Sequence, residues 1–184
     1  YFSTDFVFDG CSETPYRTDD RPHPLSVYGR SKLAGEEAIS GSEAESLTVR
    51  TSWLFGAAGA NFVSTILKRA RSGAPLRVVD DQRGSPTWAR DLAETTAELV
   101  DNGAMGLVHV TNGGTATWYE LARAALEVAK VETDLQPVSS DEWKAAAVRP
   151  RDSVLDVTET EALLGRSMVP WPKALRAFLL GSVS

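Results

Sequence analysis

Tyr28-Gly29-Arg30-Ser31-Lys32 is the segment best equipped for chemistry. On a helix, Tyr28 and Lys32 lie one above the other. A free phenol ionises near about 10, and an ammonium held close favours its charged form. Such a pair can give up and regain a proton near neutral pH, as a general acid must. The spacing alone is common by chance, so its place in the fold decides. Upstream, Ser3-Thr4-Asp5 lies in a stretch that reads as a strand. In open parallel sheets, ligands sit beyond the carboxyl ends of strands. There Thr4 can set a hydroxyl beside Tyr28, and Asp5 can accept bonds from hydroxyls. The competing reading is turn chemistry at a strand end.

The elements that must position these residues follow from pattern. Tyr1 to Phe8 is aromatic and β-branched and predicts a buried strand, ended by Asp9-Gly10. Cys11 to Pro24 is a polar loop with three prolines, long enough to suggest function. Ser26 to Ser40 predicts a helix stopped by Gly41. Ser46 to Phe55 alternates as a strand, Asn61 to Arg71 has helical spacing, and Leu76 to Val79 is a short strand. Asp80 to Thr87 reads as a loop, with Thr87 as the N-cap of a helix from Trp88 to Val100. Leu107 to Val110 is a strand. Thr117 and Glu120 form a capping box for a helix to about Lys130. A second box, Thr158 to Glu161, opens a short helix closed by Gly165, and Trp171 to Leu180 is the last helix.

Strands alternating with helices predict an α/β fold with a mainly parallel sheet. Only three or four strands are visible, fewer than such a sheet normally has. The expected architecture is the second half of a Rossmann-like doubly wound sheet plus a smaller α/β part. Residues 1–60 belong to the former and 61–184 mainly to the latter, with about 88–110 returning to the first sheet. The chain starts at Tyr1, inside a strand, as if in the middle of a fold.

Composition narrows the function. The 184 residues are 42% hydrophobic, enough to bury a core, and the net charge is −6. An acidic chain without a basic run argues against nucleic acid and anionic membranes. No apolar stretch is long enough to span a bilayer. The single cysteine, Cys11, excludes an intrachain disulfide and a cysteine-cluster zinc site, and fits a cytoplasmic protein.

The motifs together resemble the extended short-chain dehydrogenase/reductase family. The likeness runs from Ser3–Gly10 and Tyr28–Glu36 through Arg50–Gly56, Asn61–Val63 and Asp80–Thr87 to Arg149–Asp156. Tyr28 and Lys32 mark the superfamily. The Val-Phe-Asp-Gly strand end, the Asp-Gln-Arg-Gly-Ser-Pro-Thr loop and the Ser-Val-Leu-Asp segment point more narrowly, to the branch that performs the last reduction of dTDP-L-rhamnose synthesis. Phe6 stands where that branch usually has tyrosine, a mild departure on a buried strand.

The resemblance implies a dTDP-sugar substrate whose C4 ketone is reduced with NADPH or NADH. It implies Tyr28 as proton donor and Lys32 as the residue that bonds the nicotinamide ribose and favours the phenolate. Thr4 would hold the carbonyl oxygen, and Asp5 and Trp53 would contact the sugar. A homodimer and a Mg2+ ion at a subunit contact are compatible with it. The family's glycine-rich pyrophosphate turn has no counterpart here, since Gly56-Ala57-Ala58-Gly59 follows the wrong strand. The expectation is therefore an upstream segment, roughly one Rossmann half, that carries it. Two readings compete with the reductase. One is a non-catalytic binding relative like the β subunit of methionine adenosyltransferase, disfavoured by the intact Thr4, Tyr28 and Lys32. The other is a sugar-nucleotide epimerase or dehydratase; Phe6, where dehydratases tend to carry an acid, disfavours dehydration.

Other polar residues have plainer readings. His23 is expected in solvent and His109 on a strand surface. Cys11 is expected to be an inert loop thiol, and Asp80-Asp81 to be solvated. Trp88, Trp118, Trp143 and Trp171 are expected to pack. Arg149-Pro150-Arg151 suits a pyrophosphate clamp or a salt bridge about equally. The roles of Asn61 and Arg83 stay open.

Overall fold

The first strand breaks off early. In the computed structural model, which describes residues 1–143 and 147–181, β1 is Phe2–Thr4 and Asp5–Val7 is a turn of 3-10 helix. The expected strand to Phe8 is cut short because the Thr4 side chain caps that turn, accepting from the Phe6 N–H at 3.2 Å. Phe6 is thus half-buried in a turn, not on a buried strand.

The remaining elements are α1 (Val27–Ser40), β2 (Leu47–Thr51), β3 (Leu54–Phe55), α2 (Phe62–Arg71), β4 (Leu76–Val79), β5 (Arg83–Gly84) and β6 (Thr87–Trp88). They continue with α3 (Ala89–Asp101), β7 (Gly106–His109), β8 (Ala116–Thr117), α4 (Trp118–Ala129), β9 (Leu135–Val138), α5 (Ser140–Trp143), α6 (Thr158–Leu164) and α7 (Trp171–Gly181). Strands β1, β2 and β7 form a parallel sheet in the order β1-β2-β7, with Thr4 opposite Thr51 and Arg50 opposite His109. Pairs β3–β6 and β4–β9 are parallel and β5–β8 is antiparallel. The fold is α/β with parallel sheets.

The sequence pattern missed most of the small strands. Two-residue strands show no periodicity, and Pro137 disguises β9. The predicted strand from Ser46 to Phe55 is split at Trp53, whose φ of 48° turns the chain from one sheet into another. Thr87 lies in β6 and does not cap α3; Trp88 occupies the N-cap without a side-chain bond. The capping box at Thr117 and Glu120 forms as expected. The second does not: Val157 is the N-cap of α6, and Thr160 is buried and donates to the His109 carbonyl at 2.6 Å.

Two kinds of core hold these elements. Helices α2, α4 and α7 close on Trp53, Phe55, Leu121, Leu175 and Phe178, a dry cluster that is the largest of the molecule among the described residues. Between α1 and the three-stranded sheet the filling is polar. Arg50 on β2 makes two bonds to Glu36 on α1, at 2.9 and 2.6 Å, and Ser3 on β1 donates to the same carboxylate. All three are buried, and the Arg50 guanidinium lies 5.0 Å over the Phe8 ring. Breaking such a pair from one side leaves a buried charge unmatched.

Candidate active site

The carboxyl end of β1 and the first turns of α1 meet. Gly29 makes this contact, since a Cβ there would lie 2.2 Å from the Phe6 carbonyl oxygen. The neighbouring Tyr28 is 53% exposed, and its ring meets Phe6 edge-on at 6.2 Å. Among the described residues the Tyr28 hydroxyl makes no hydrogen bond. Ser26 caps α1 by accepting from Gly29 N–H at 3.0 Å, fixing this first turn. Lys32 follows one turn on, on the same face. Its Nζ lies 4.6 Å from the centre of the Tyr1 ring, whose hydroxyl donates to the Lys32 carbonyl at 3.2 Å.

Thr4 and Asp5 form the buried side of the same place. Thr4 Oγ1 donates to Asp5 Oδ1 at 3.0 Å, and Ser153 Oγ donates to Asp5 Oδ2 at 2.5 Å. Asp5 is only 2% exposed. Burial pushes its pKa up to about 7, against the bonds from Ser153 and Thr4 that favour the carboxylate.

The strap that brings Ser153 there was legible as a motif, but its role was not. Its residues 150–156 run between two parts of the molecule. Arg83 N–H donates to the Arg151 carbonyl at 2.7 Å, and Ser153 N–H returns to the Arg83 carbonyl at 3.0 Å. On the other side, Tyr16 N–H donates to the Val154 carbonyl at 2.8 Å, and Asp156 N–H to the Tyr16 carbonyl at 2.7 Å. The long loop after Gly10 is therefore anchored by its middle. The Tyr16 hydroxyl also accepts from Gly10 and Cys11 N–H, both at 2.9 Å, and donates to Asp9 at 2.8 Å.

Trp53 is buried and stacks on Trp118 at 3.5 Å, and Trp118 in turn meets Phe62 at 4.7 Å. A Cβ on Gly84 would sit 2.4 Å from the Trp53 indole, so the loop of β5 needs glycine there. This aromatic row leads to a cavity of about 350 Å³ between α2 and β4. Phe62, Trp118, Arg69, Arg77 and Arg149 are among its lining residues. Aromatic faces beside arginines suit a planar base next to phosphate. Only Arg149 of these was read from sequence as a ligand residue; Trp118 was expected to pack, and Arg69 and Arg77 on the neighbouring α2 and β4 carried no motif.

Several expectations are corrected. His109 is not on a strand surface but 1% exposed, because the sheet is covered on both faces. Its Nδ1 lies 3.1 Å from the Asp156 carbonyl, which can only accept, so Nδ1 carries the proton. Burial, with Arg50 nearby, holds its pKa down at about 4. Trp143 is 47% exposed, at the edge of the cavity between α2 and β4. Asp80 is exposed as expected, though it accepts from Thr117 Oγ1 at 2.5 Å, whereas Asp81 is half-buried and accepts from Ser140 N–H at 2.9 Å and its hydroxyl at 2.8 Å. His23 is in solvent as expected, 3.1 Å from Asp9, and Cys11 is exposed and unpaired. Asn61 caps α2 and also donates to the Gly56 carbonyl at 2.8 Å. Arg83 pairs with Asp152 at 3.0 Å. Among the described residues no cluster of three or more His, Cys, Asp or Glu side chains is placed to hold a metal, so Mg2+ gains no support from these side chains.

A family model described as the RmlD substrate binding domain matches residues 1–182. The chain belongs to this family. It is 42% identical to the spore coat polysaccharide biosynthesis protein SpsK of Bacillus subtilis, over 97% of this chain and 62% of that protein. It is 35% identical to the dTDP-4-dehydrorhamnose reductase of Mycolicibacterium smegmatis, over 96% of this chain and 55% of the relative. The crystal structure of the Bacillus anthracis dTDP-4-dehydrorhamnose reductase in complex with NADP superposes with a TM-score of 0.94 at 36% identity, covering 98% of this chain and 64% of that one. The chain thus spans roughly three fifths of the length of its RmlD-family relatives. Among the described residues no helix is long and apolar enough to cross a membrane.

Proposed function

We propose that the chain forms the substrate side and the catalytic helix of an NAD(P)H-dependent reductase. The reaction is reduction of the C4 ketone of dTDP-4-dehydro-L-rhamnose to dTDP-L-rhamnose. The observation that carries this reading is the half-exposed, unengaged Tyr28 hydroxyl in the first turn of α1, which packs against the chain just past the carboxyl end of β1. The names of the relatives and the NADP-bound neighbour support it. They give no support to a non-catalytic binding role.

The residues fit one end of a dinucleotide. Tyr28 and Lys32 present a hydroxyl and an ammonium on one face of α1, suited to the hydroxyls of the nicotinamide ribose. The pyrophosphate end needs a glycine-rich turn, which the sequence does not contain. When bound, NADPH or NADH supplies the hydride. As C4 gains that hydride, the carbonyl π electrons move onto oxygen, and Tyr28 gives this oxygen its phenolic proton. The phenolate left behind is offset by the Lys32 ammonium and regains a proton from solvent. Thr4 holds the same oxygen once its proton turns to it from Asp5 Oδ1, and so fixes the face of the ketone. Asp5 and Trp53 lie beneath the sugar, and the nucleotide enters the arginine-lined cavity beyond Trp118. SpsK, by its name, serves a spore-coat polysaccharide, and a role in cell-surface polysaccharide synthesis in the cytoplasm belongs to the same proposal.

A second reading keeps the chemistry and changes the sugar. A relative 41% identical over 84% of this chain is named dTDP-4-keto-6-deoxy-D-glucose reductase, from Streptomyces niveus. Cofactor oxidation with each of the two ketosugars, in the whole enzyme, separates the readings. Tyr28→Phe is expected to cut turnover of the preferred one at least about a hundredfold. Near-normal turnover in that variant overturns the proton-donor role.

A further inference from the structure

The Thr4 hydroxyl has a single proton, and in the structure that proton goes to Asp5 Oδ1 while its oxygen takes the Phe6 N–H. The direction in which Thr4 can address a ligand is therefore set by Asp5. Asp5 in turn is held at its other oxygen, among the described residues, by the side chain of Ser153 alone. Ser153 has little freedom. It is 1% exposed, its N–H is spent on the Arg83 carbonyl at 3.0 Å, and its neighbour Val154 is tied through its carbonyl to Tyr16. One strap residue thus reaches across 148 positions of sequence to fix the carboxylate behind the reacting end of β1.

We propose that Ser153 is a positioning residue for the reduction, pinning the Asp5 carboxylate so that Thr4 Oγ1 is held in place and its proton can turn from Asp5 Oδ1 to the ketone oxygen when substrate binds. The inference rests on the reductase reading above. Asp5 acts here through Thr4, and Ser153 acts through Asp5. Loss of the Ser153 hydroxyl frees Asp5 to rotate and lets Thr4 follow it. Binding of the nucleotide, whose cavity lies beyond Trp118, is untouched.

The test uses the whole reductase, with dTDP-4-dehydrorhamnose and NADPH. Ser153→Ala is expected to lower kcat by about ten- to a hundredfold, in line with the cost of small misplacements of reacting groups, with KM nearly unchanged. Ser153→Cys, close to isosteric and a weak donor, is the second variant should alanine fail to fold, and the same fall is expected. The deciding measurement is the cycle with Asp5→Asn. If Ser153 works through Asp5, adding Ser153→Ala to Asp5→Asn lowers kcat little further. An equal fall on both backgrounds overturns the proposal, as does a normal kcat in Ser153→Ala and Ser153→Cys. An unmutated enzyme that turns over neither ketosugar overturns the reductase reading itself, and this inference with it.

Discussion

Beside the sheet β1-β2-β7, the space under α1 is filled by Arg50, Glu36 and Ser3, all buried and all hydrogen-bonded. Around α2, α4 and α7 the space is filled by aromatic and aliphatic side chains instead. The polar core is directional. It ties β1, β2 and α1 together in one orientation, with the first turn of α1 against the Phe6 carbonyl just past β1. The apolar core is not directional, but it stacks Trp53 on Trp118 and opens a cavity beside them. On the reading proposed above, chemistry that depends on the aim of a hydroxyl belongs to the polar side, and recognition that depends on shape and flat surfaces to the apolar side.

The sharpest way to break this contrast is at Arg50. Arg50→Met leaves Glu36 and Ser3 without their cation, and is expected to cost about 3–5 kcal/mol in urea unfolding. A double change of Arg50 and Glu36 to apolar residues of similar volume is expected to recover much of it. If the single variant costs under about 1 kcal/mol, in the range of an exposed pair, the polar core does not hold the sheet.

Asp5 sharpens the comparison through pH. Its folded pKa, about 7, lies above the unfolded value of 3.8 because burial disfavours its charge. Its contribution is therefore full below about pH 4 and is lost as pH rises through about 7. Asp5→Asn carries no such loss, so its stability relative to the unmutated protein should rise between pH 4 and 8. The shift sets a ceiling of about 4 kcal/mol on this gain. The depressed His109 slopes the other way but is present in both proteins and drops out of the difference. A difference that is flat with pH would show that Asp5 is not buried as a charge.

The smallest effect is expected on the apolar side. Gly84→Ala forces a methyl into the Trp53 indole, at an overpacking cost of about 1–3 kcal/mol. The Trp53–Trp118 stack should loosen, read as a change in tryptophan fluorescence. An unchanged spectrum would mean that the row is not held from that side.

Much of this was legible in the chain and some was not, for local reasons. Ser26, Asn61 and Thr117 mark helix starts that depend on neighbouring residues only, and all three hold. Tyr28 and Lys32 share a helix face, a matter of spacing. Thr158 to Glu161 has the same local credentials as Thr117 to Glu120, yet Asp156 takes the Thr158 N–H and the Glu161 carboxylate takes the Met168 N–H, and the box is lost. His109 misled because alternation reports burial only when one face of a sheet is wet. The cavity residues Phe62, Arg77 and Trp118 converge from α2, β4 and α4, and no window of sequence contains them.

The bond between Ser153 and Asp5 also has a consequence for synthesis. At about 5–20 residues per second, the ribosome needs roughly 7–30 s to travel from one to the other. Until then β1, α1 and their Tyr28 and Lys32 can form, but the carboxylate behind Thr4 has only half its partners. The strap cannot join Arg83 to Tyr16 before it emerges, so the end of the sheet is finished late. Such long-range closure makes for slow folding. A product cut short before residue 150 would carry the tyrosine, the lysine and the threonine, and still leave Asp5 without Ser153.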